Sequence, residues 1–192
     1  MNQKSIIQTN KNRFLAGALS ALTLGVLALA SPARGQGCDL YPIAVSAQTL
    51  ANVQEGTVIY DIFNGAQPGN FGWLSWAGNP DEPTLVRSLS VPGDSNTYVN
   101  PDDPADHVVH LGDWVQGKPG VSNSSAVRDA LDTLEDYEIV VPVWDQARGQ
   151  GSQAAYHVSA FAKVRILGYR LPSQNRISVI FIGYSSCGTP PV

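Results

Sequence analysis

Between positions 102 and 114 the chain gathers Asp102, Asp103, Asp106, His107, His110, Asp113 and Trp114. Imidazoles beside carboxylates could hold a zinc-like ion, and the aspartates alone could suit calcium. The spacing matches neither a twelve-residue calcium loop nor HExxH, and two histidines three positions apart on an extended segment point to opposite faces. The plainer reading is a solvated acidic loop. Nucleophilic hydrolysis has less to work with. There is no GxSxG, and the few histidines lack a recognisable Ser or Cys partner motif. His157 falls at period two with Lys163 and Arg165, which reads as a polar outer face. Paired carboxylates near Trp73, Trp76, Trp114 and Trp144 could act on a glycan, but four tryptophans serve equally as large core side chains. No catalytic, metal-binding or cofactor-binding set is assigned, and no cofactor is expected.

The elements that would position these residues are mostly strands. The run 57–63, TVIYDIF, is β-branched and aromatic and stops at the turn pair Asn64-Gly65. Further strands are expected at 70–76, as a short piece at 84–89, and at 107–115, with 92–106 an irregular loop rich in Pro, Gly and Asp. One helix is expected over 124–136, where Val127, Ala130, Leu131 and Leu134 recur at helical spacing behind the N-cap candidates Ser122, Asn123 and Ser124. A β meander follows. Its strands are 138–144, with Pro142 implying an edge or bulge, then 156–167, then 176–184, which is apolar on both faces and so central or closed into a barrel. A loop at 146–153 joins the first two. The fold class this predicts is α+β, mainly β: a small β-barrel or sandwich with one covering helix.

Residues 1–37 read as a secretory signal peptide: Lys4, Lys11 and Arg13, then an apolar run over 14–30, then small residues. Residues 38–192 read as a single secreted β-rich domain. Loss of Lys4, Lys11, Arg13 and Arg34 would reduce the twelve basic residues to eight against sixteen acidic ones. Such a domain argues against nucleic acid and, after signal cleavage, against a membrane surface as partner. Cys38 and Cys187 are the only cysteines, placed so that a disulfide could staple the domain end to end.

Three segments in order resemble the C-terminal domain of TadG-like proteins of the tight-adherence (Tad/Flp) pilus-assembly system. They are Pro68-Gly69-Asn70-Phe71-Gly72-Trp73-Leu74, then the turn 112–120 with Gly117, Pro119 and Gly120 before the helix, then the pair 139–145 and 158–162. Such residues report a backbone path. Gly69 and Gly72 suit a tight turn or bulge that presents Phe71 inward, and Gly117 to Gly120 suits a sharp entry into the helix. The resemblance implies a bacterial, non-enzymatic protein of pilus-like assembly or adhesion. Here it would be a stand-alone, secreted or cell-surface relative that binds protein or polysaccharide. The alternative is a secreted hydrolase or carbohydrate-active protein using the His/Asp/Trp region 102–114.

Overall fold

The structure, a computed structural model, describes residues 38–187 except 68, 79, 172 and 173. The expected signal peptide lies outside the described residues. Seven strands form one sheet: β1 (Ile43–Ser46), β2 (Val58–Phe63), β3 (Phe71–Trp73), β4 (Trp114–Gln116), β5 (Ile139–Arg148), β6 (Ala155–Arg170) and β7 (Arg176–Ser185). Their order is β2-β7-β6-β5-β1-β3, with β4 paired to the start of β6. Only β1 with β5 is parallel. Asn64, just past β2, bridges Phe71 at the start of β3, and the Gly65 N–H donates to the Phe71 carbonyl at 2.8 Å. The two margins of the sheet thus meet at one corner, and the sheet curls into a half-barrel. The fold is α+β and mainly β, as expected.

Alternation along the strands feeds two cores, one on each face. On β1, Ile43 and Val45 face one core and Ala44 the other. The first core lies under α2 (Glu82–Leu89) and α3 (Ser125–Leu134), which contribute Leu85, Leu89, Val127, Leu131 and Leu134 against Val141, Val164 and Val179. The second collects Leu74, Trp76, Trp144, Tyr156, Val158 and Phe161 beneath Tyr98 and Val109 of the long loop. A four-residue helix, α1 (Ala47–Leu50), follows β1 directly.

Several expectations change. The segment 84–89 is helical, not a strand. Asp81 caps it by accepting from the Thr84 N–H at 2.8 Å, Pro83 occupies the first turn where a missing N–H costs nothing, and Thr84, Leu85, Ser88 and Leu89 are buried at helical spacing. α2 therefore shares the covering layer with α3. The extended segment expected over 107–115 shrinks to β4, because Asp106 and Asp113 accept the Val108 and His110 N–H groups at 2.9 and 2.7 Å and fold 106–113 into turns. β5 runs on to Arg148 and narrows the expected loop at 146–153. Pro142 is not on an edge, since β5 lies between β6 and β1. Toward β1 there is a gap at that position, between the bridge at Val140 and the ladder that begins at Val143, so the missing N–H breaks no rung there.

Cys38 and Cys187 form a disulfide with their Cα atoms 5.5 Å apart, across 149 positions of sequence. Replacing both with serine is expected to lower the unfolding free energy by about 5 kcal/mol in the chain-entropy account. A fall in the urea midpoint with a steeper slope, as the released unfolded chain exposes more surface, is the expected signature. An unchanged midpoint would show that the cross-link does not constrain the unfolded chain.

Candidate functional site

The acidic region is a braced loop. Asp106 accepts from the Val108 N–H and from Asn100 Nδ2 (3.2 Å); Asp113 accepts from the His110 N–H, from Asn100 Nδ2 (3.3 Å) and from the Tyr98 hydroxyl (3.5 Å). His107 Nδ1–H donates to the Tyr98 carbonyl at 2.6 Å. Asp102 and Asp103 are exposed. These side chains close turns instead of converging on a substrate. Among the described residues no three His, Cys, Asp or Glu side chains are grouped so as to hold a metal ion. Burial pushes the Asp113 carboxyl above its ordinary range, although the His110 N–H and the Tyr98 hydroxyl pull the other way. Burial, and then the Asp113 charge, raise the Tyr98 phenol.

Trp114 is not part of that network. It leads β4, directly opposite His157 on β6, with the two rings 5.2 Å apart. Arg148 at the end of β5 lies 4.2 Å above the Trp114 ring, and His157 Nδ1–H donates to Asp145 Oδ1 at 2.6 Å. The stack Arg148, Trp114, His157, Asp145 was not legible in the sequence, because two bulges create it. β5 and β6 pair Val143 with Ala160, then Trp144 with Val158, then Gln146 with His157. Ser159 is thus an extra residue on β6 and Asp145 an extra residue on β5. Each bulged side chain bonds back across the ladder, Ser159 Oγ to the Val143 carbonyl and Asp145 to His157. The available signal was the spacing of large apolar residues on β6, which steps from Tyr156 and Val158 to Phe161. The extra residue also places His157 on the opposite side of the strand from Lys163 and Arg165, overturning the shared polar face. An Asp–His pair of this kind orients an imidazole, yet no Ser or Cys is hydrogen-bonded to His157 among the described residues. A nucleophile for acyl transfer is not assembled there.

Residues of the Gly- and Pro-containing segments singled out in the sequence gather around Tyr156. Phe71 is fully buried and meets Trp73 edge-on at 5.0 Å, so the expected inward presentation is correct. Gly69, at φ +91°, makes the turn, and its N–H donates to Ser46 Oγ at 3.0 Å. Asn70 contributes its carbonyl to the Ser46 N–H at 2.9 Å. Gly72 has another role: a Cβ there would overlap the Tyr156 ring, and one at Gly117 would lie 2.7 Å from Tyr156 Cε2. Two glycines forty-five positions apart are therefore held against one tyrosine, which also leans on Trp144 at 5.2 Å. Gly120, at φ +79°, turns the chain toward α3, whose N-cap Ser124 accepts from the Val127 N–H at 3.3 Å. Pro119 lies between these two glycines. Above Tyr156 is a cleft of about 300 Å³ walled by Gly65, Gly117, Lys118, Gly120 and Gly149. Burial lowers the Lys118 ammonium, against the pull of Glu82 and Asp81. Backbone groups and one half-buried amine can hold an extended segment, but supply no acid–base pair. Of the other three tryptophans, Trp73, Trp76 and Trp144 are core residues.

No family model, curated protein or solved structure matches this chain. No helix among the described residues is long and apolar enough to cross a membrane.

Gly72→Ala is expected to destabilise the fold by about 1–3 kcal/mol through overpacking, and to cost measurably less in a Tyr156→Ala background. Equal costs in both backgrounds, from a double-mutant cycle of urea denaturation, would separate the glycine from the tyrosine. For Asp113, a folded-state pKa raised above the unfolded one means protonation favours the fold. That stabilisation is complete below the unfolded value and is lost as pH rises through the folded value. Asp113→Asn is therefore expected to gain stability relative to the parent as pH rises across this window. A difference independent of pH in paired denaturation curves would contradict the assignment.

Proposed function

We propose that this is a non-enzymatic, exported protein of the cell surface, acting in pilus-like assembly or adhesion through contacts with protein or polysaccharide. The observation that carries the reading is the fate of the carboxylates. Asp106 and Asp113 are used as loop braces and Asp145 as a bulge lock, so the groups a hydrolase would need free are occupied in holding the fold. The His/Asp/Trp region splits accordingly, with His107 turned to the Tyr98 carbonyl and Trp114 stacked on His157.

Two further features support the reading. The disulfide is of the kind that persists in oxidising compartments, in keeping with the signal-like residues 1–37. The segments resembling the TadG-like C-terminal domain correspond to load-bearing parts of the fold: the Phe71 turn, the Gly117 contact with Tyr156, and the β5–β6 ladder.

Deleting the gene is expected to reduce surface attachment or appendage number, scored by adhesion assay and electron microscopy, with restoration by the full chain in trans. Unchanged attachment, appendages and envelope in the deletion strain would overturn the proposal.

A further inference from the structure

The second core covers only part of its face of the sheet. On β6 it ends at Phe161, and beyond that point the same face carries Lys163, Arg165 and Leu167. Arg165 stands opposite Ile180 of β7, and Ile180 opposite Val58 of β2, so an apolar row continues outward to the sheet margin. Tyr60, Phe63 and Leu167 are 74, 47 and 44% exposed around it. Arg170 and Arg176 pair across the ladder and grip Asp61 at 3.4 and 3.8 Å, while Arg176 covers the Phe63 ring at 3.7 Å. Lys163 meets Glu138 at 3.8 Å. Arg165 makes no hydrogen bond or ion pair among the described residues. Four of the eight basic residues beyond position 37 thus share one partly apolar sheet face of an acidic chain.

The complementary surface lies on the other side of the same strands. α3 covers the first core, and its outer side and C-terminal end carry Asp129, Asp132, Glu135 and Asp136, with no basic residue in the last turn. Carboxylates at a helix C-terminus oppose the helix dipole, so this arrangement costs the isolated chain stability. Burial and the neighbouring Asp132 and Asp136 raise the Glu135 carboxyl, a sign of crowded negative charge. Tyr137, 45% exposed, adjoins the ridge.

We infer that the protein self-associates head to tail, the Arg165 sheet face of one copy docking on the Asp129–Asp136 helix ridge of the next. Charge complementarity selects the occupant. The face carries four basic residues against Asp61, Glu138 and Glu55, whose carboxylate lies over Gly183, which leaves Arg165 without an ion pair among the described residues. The chain supplies its own acidic ridge, with no basic residue in the last turn of α3. Val58, Ile180 and Leu167 favour a protein partner over a sugar polymer, because apolar surface gains by leaving water, and Tyr137 beside the ridge is the apolar side chain they would meet. Since the two surfaces lie on opposite sides of the sheet, the contact is heterologous and passes from copy to copy, with no two-fold pair as its end point. The inference rests on the assembly reading above and names its partner as a second copy.

The test is sedimentation velocity on the full chain, produced by export and purified oxidised, over a wide concentration range. The average mass is expected to climb past that of a dimer at about 0.05 M salt and to fall to monomer near 1 M. Lys163→Gln with Arg165→Gln, and separately Asp129→Asn with Asp136→Asn, should each be monomeric. Mixed at equal concentration they should give a one-to-one dimer and nothing larger, because each retains one working surface. Near-UV circular dichroism checks folding, and Arg165→Gln and Asp136→Asn, weakening association several-fold, replace any variant that fails it. Wild-type protein that stays monomeric, a plateau at a two-fold dimer, or a monomeric mixture would overturn the inference. So would monomeric protein that binds a soluble polyanion through Arg165. The deletion phenotype is scored separately, so head-to-tail contact can fail while the assembly reading stands, or the reverse.

Discussion

Most of this structure depends on one strand belonging to two cores. β6 spans sixteen residues, and its first half pairs with β4 and β5 while its second half pairs with β5 and β7. A straight strand alternates strictly, and a slip of one residue sends every side chain to the wrong face. The bulge at Ser159 is that slip between β5 and β6, and a second, at Leu167, follows farther along against β7. The first lets Tyr156 and Val158 join Phe161 in the second core while Ala162, Val164 and Ile166 face the helices. The compensating bulge at Asp145 keeps β5 in step. Both extra residues of the β5–β6 ladder are polar and bond across it, so the places where that pairing is interrupted are also tied down.

The second core then dictates the fate of the loop above it. A sheet face bearing Trp144, Tyr156 and Phe161 needs a cover, and no helix is placed there; the stretch from Pro92 to Asp113 does the work with Tyr98 and Val109. A covering loop brings backbone N–H groups out of water without a ladder to receive them. Aspartates answer that need, because their carboxylates accept backbone hydrogen bonds over two or three residues. The density of Asp between 102 and 113 follows from this constraint, with no appeal to metal or substrate. Burying Asp113 is the cost, visible in its raised proton affinity.

What the sequence made legible, and what it hid, divides along the same line. The α3 helix, the strands beginning near positions 57, 139, 156 and 176, and the reach of the two cysteines toward each other were readable because periodicity, caps and spacing are local. The segment 84–89 misled because Thr84, Leu85 and Val86 resemble strand residues; the decisive signal was upstream, in Asp81, Glu82 and Pro83. Gly72 and Gly117 looked like turn glycines, and only the fold brings Tyr156 against both. The Asp145–His157 pair was invisible for a similar reason: it exists because two ladders fall out of register, a property of paired strands and of neither strand alone.

The surface left over carries the remaining argument. A half-barrel with helices on one side and a braced loop on part of the other leaves β2, β7 and the end of β6 covered on one face only. Soluble chains usually finish such a face with mixed charge. Here it holds aliphatic side chains, half of the basic residues beyond position 37 with Asp61 and Glu138 against three of them, and an arginine with no hydrogen bond or ion pair among the described residues, while Asp129, Asp132, Glu135 and Asp136 lie together at α3 on the far side. Folding alone does not ask for that separation. α3 would be more stable with a lysine in its last turn, and β7 would be more soluble with a charge in place of Ile180. Where local stability and solubility are both given up in complementary places, the physical account that serves both departures is a contact between them. Within one chain the sheet itself stands in the way.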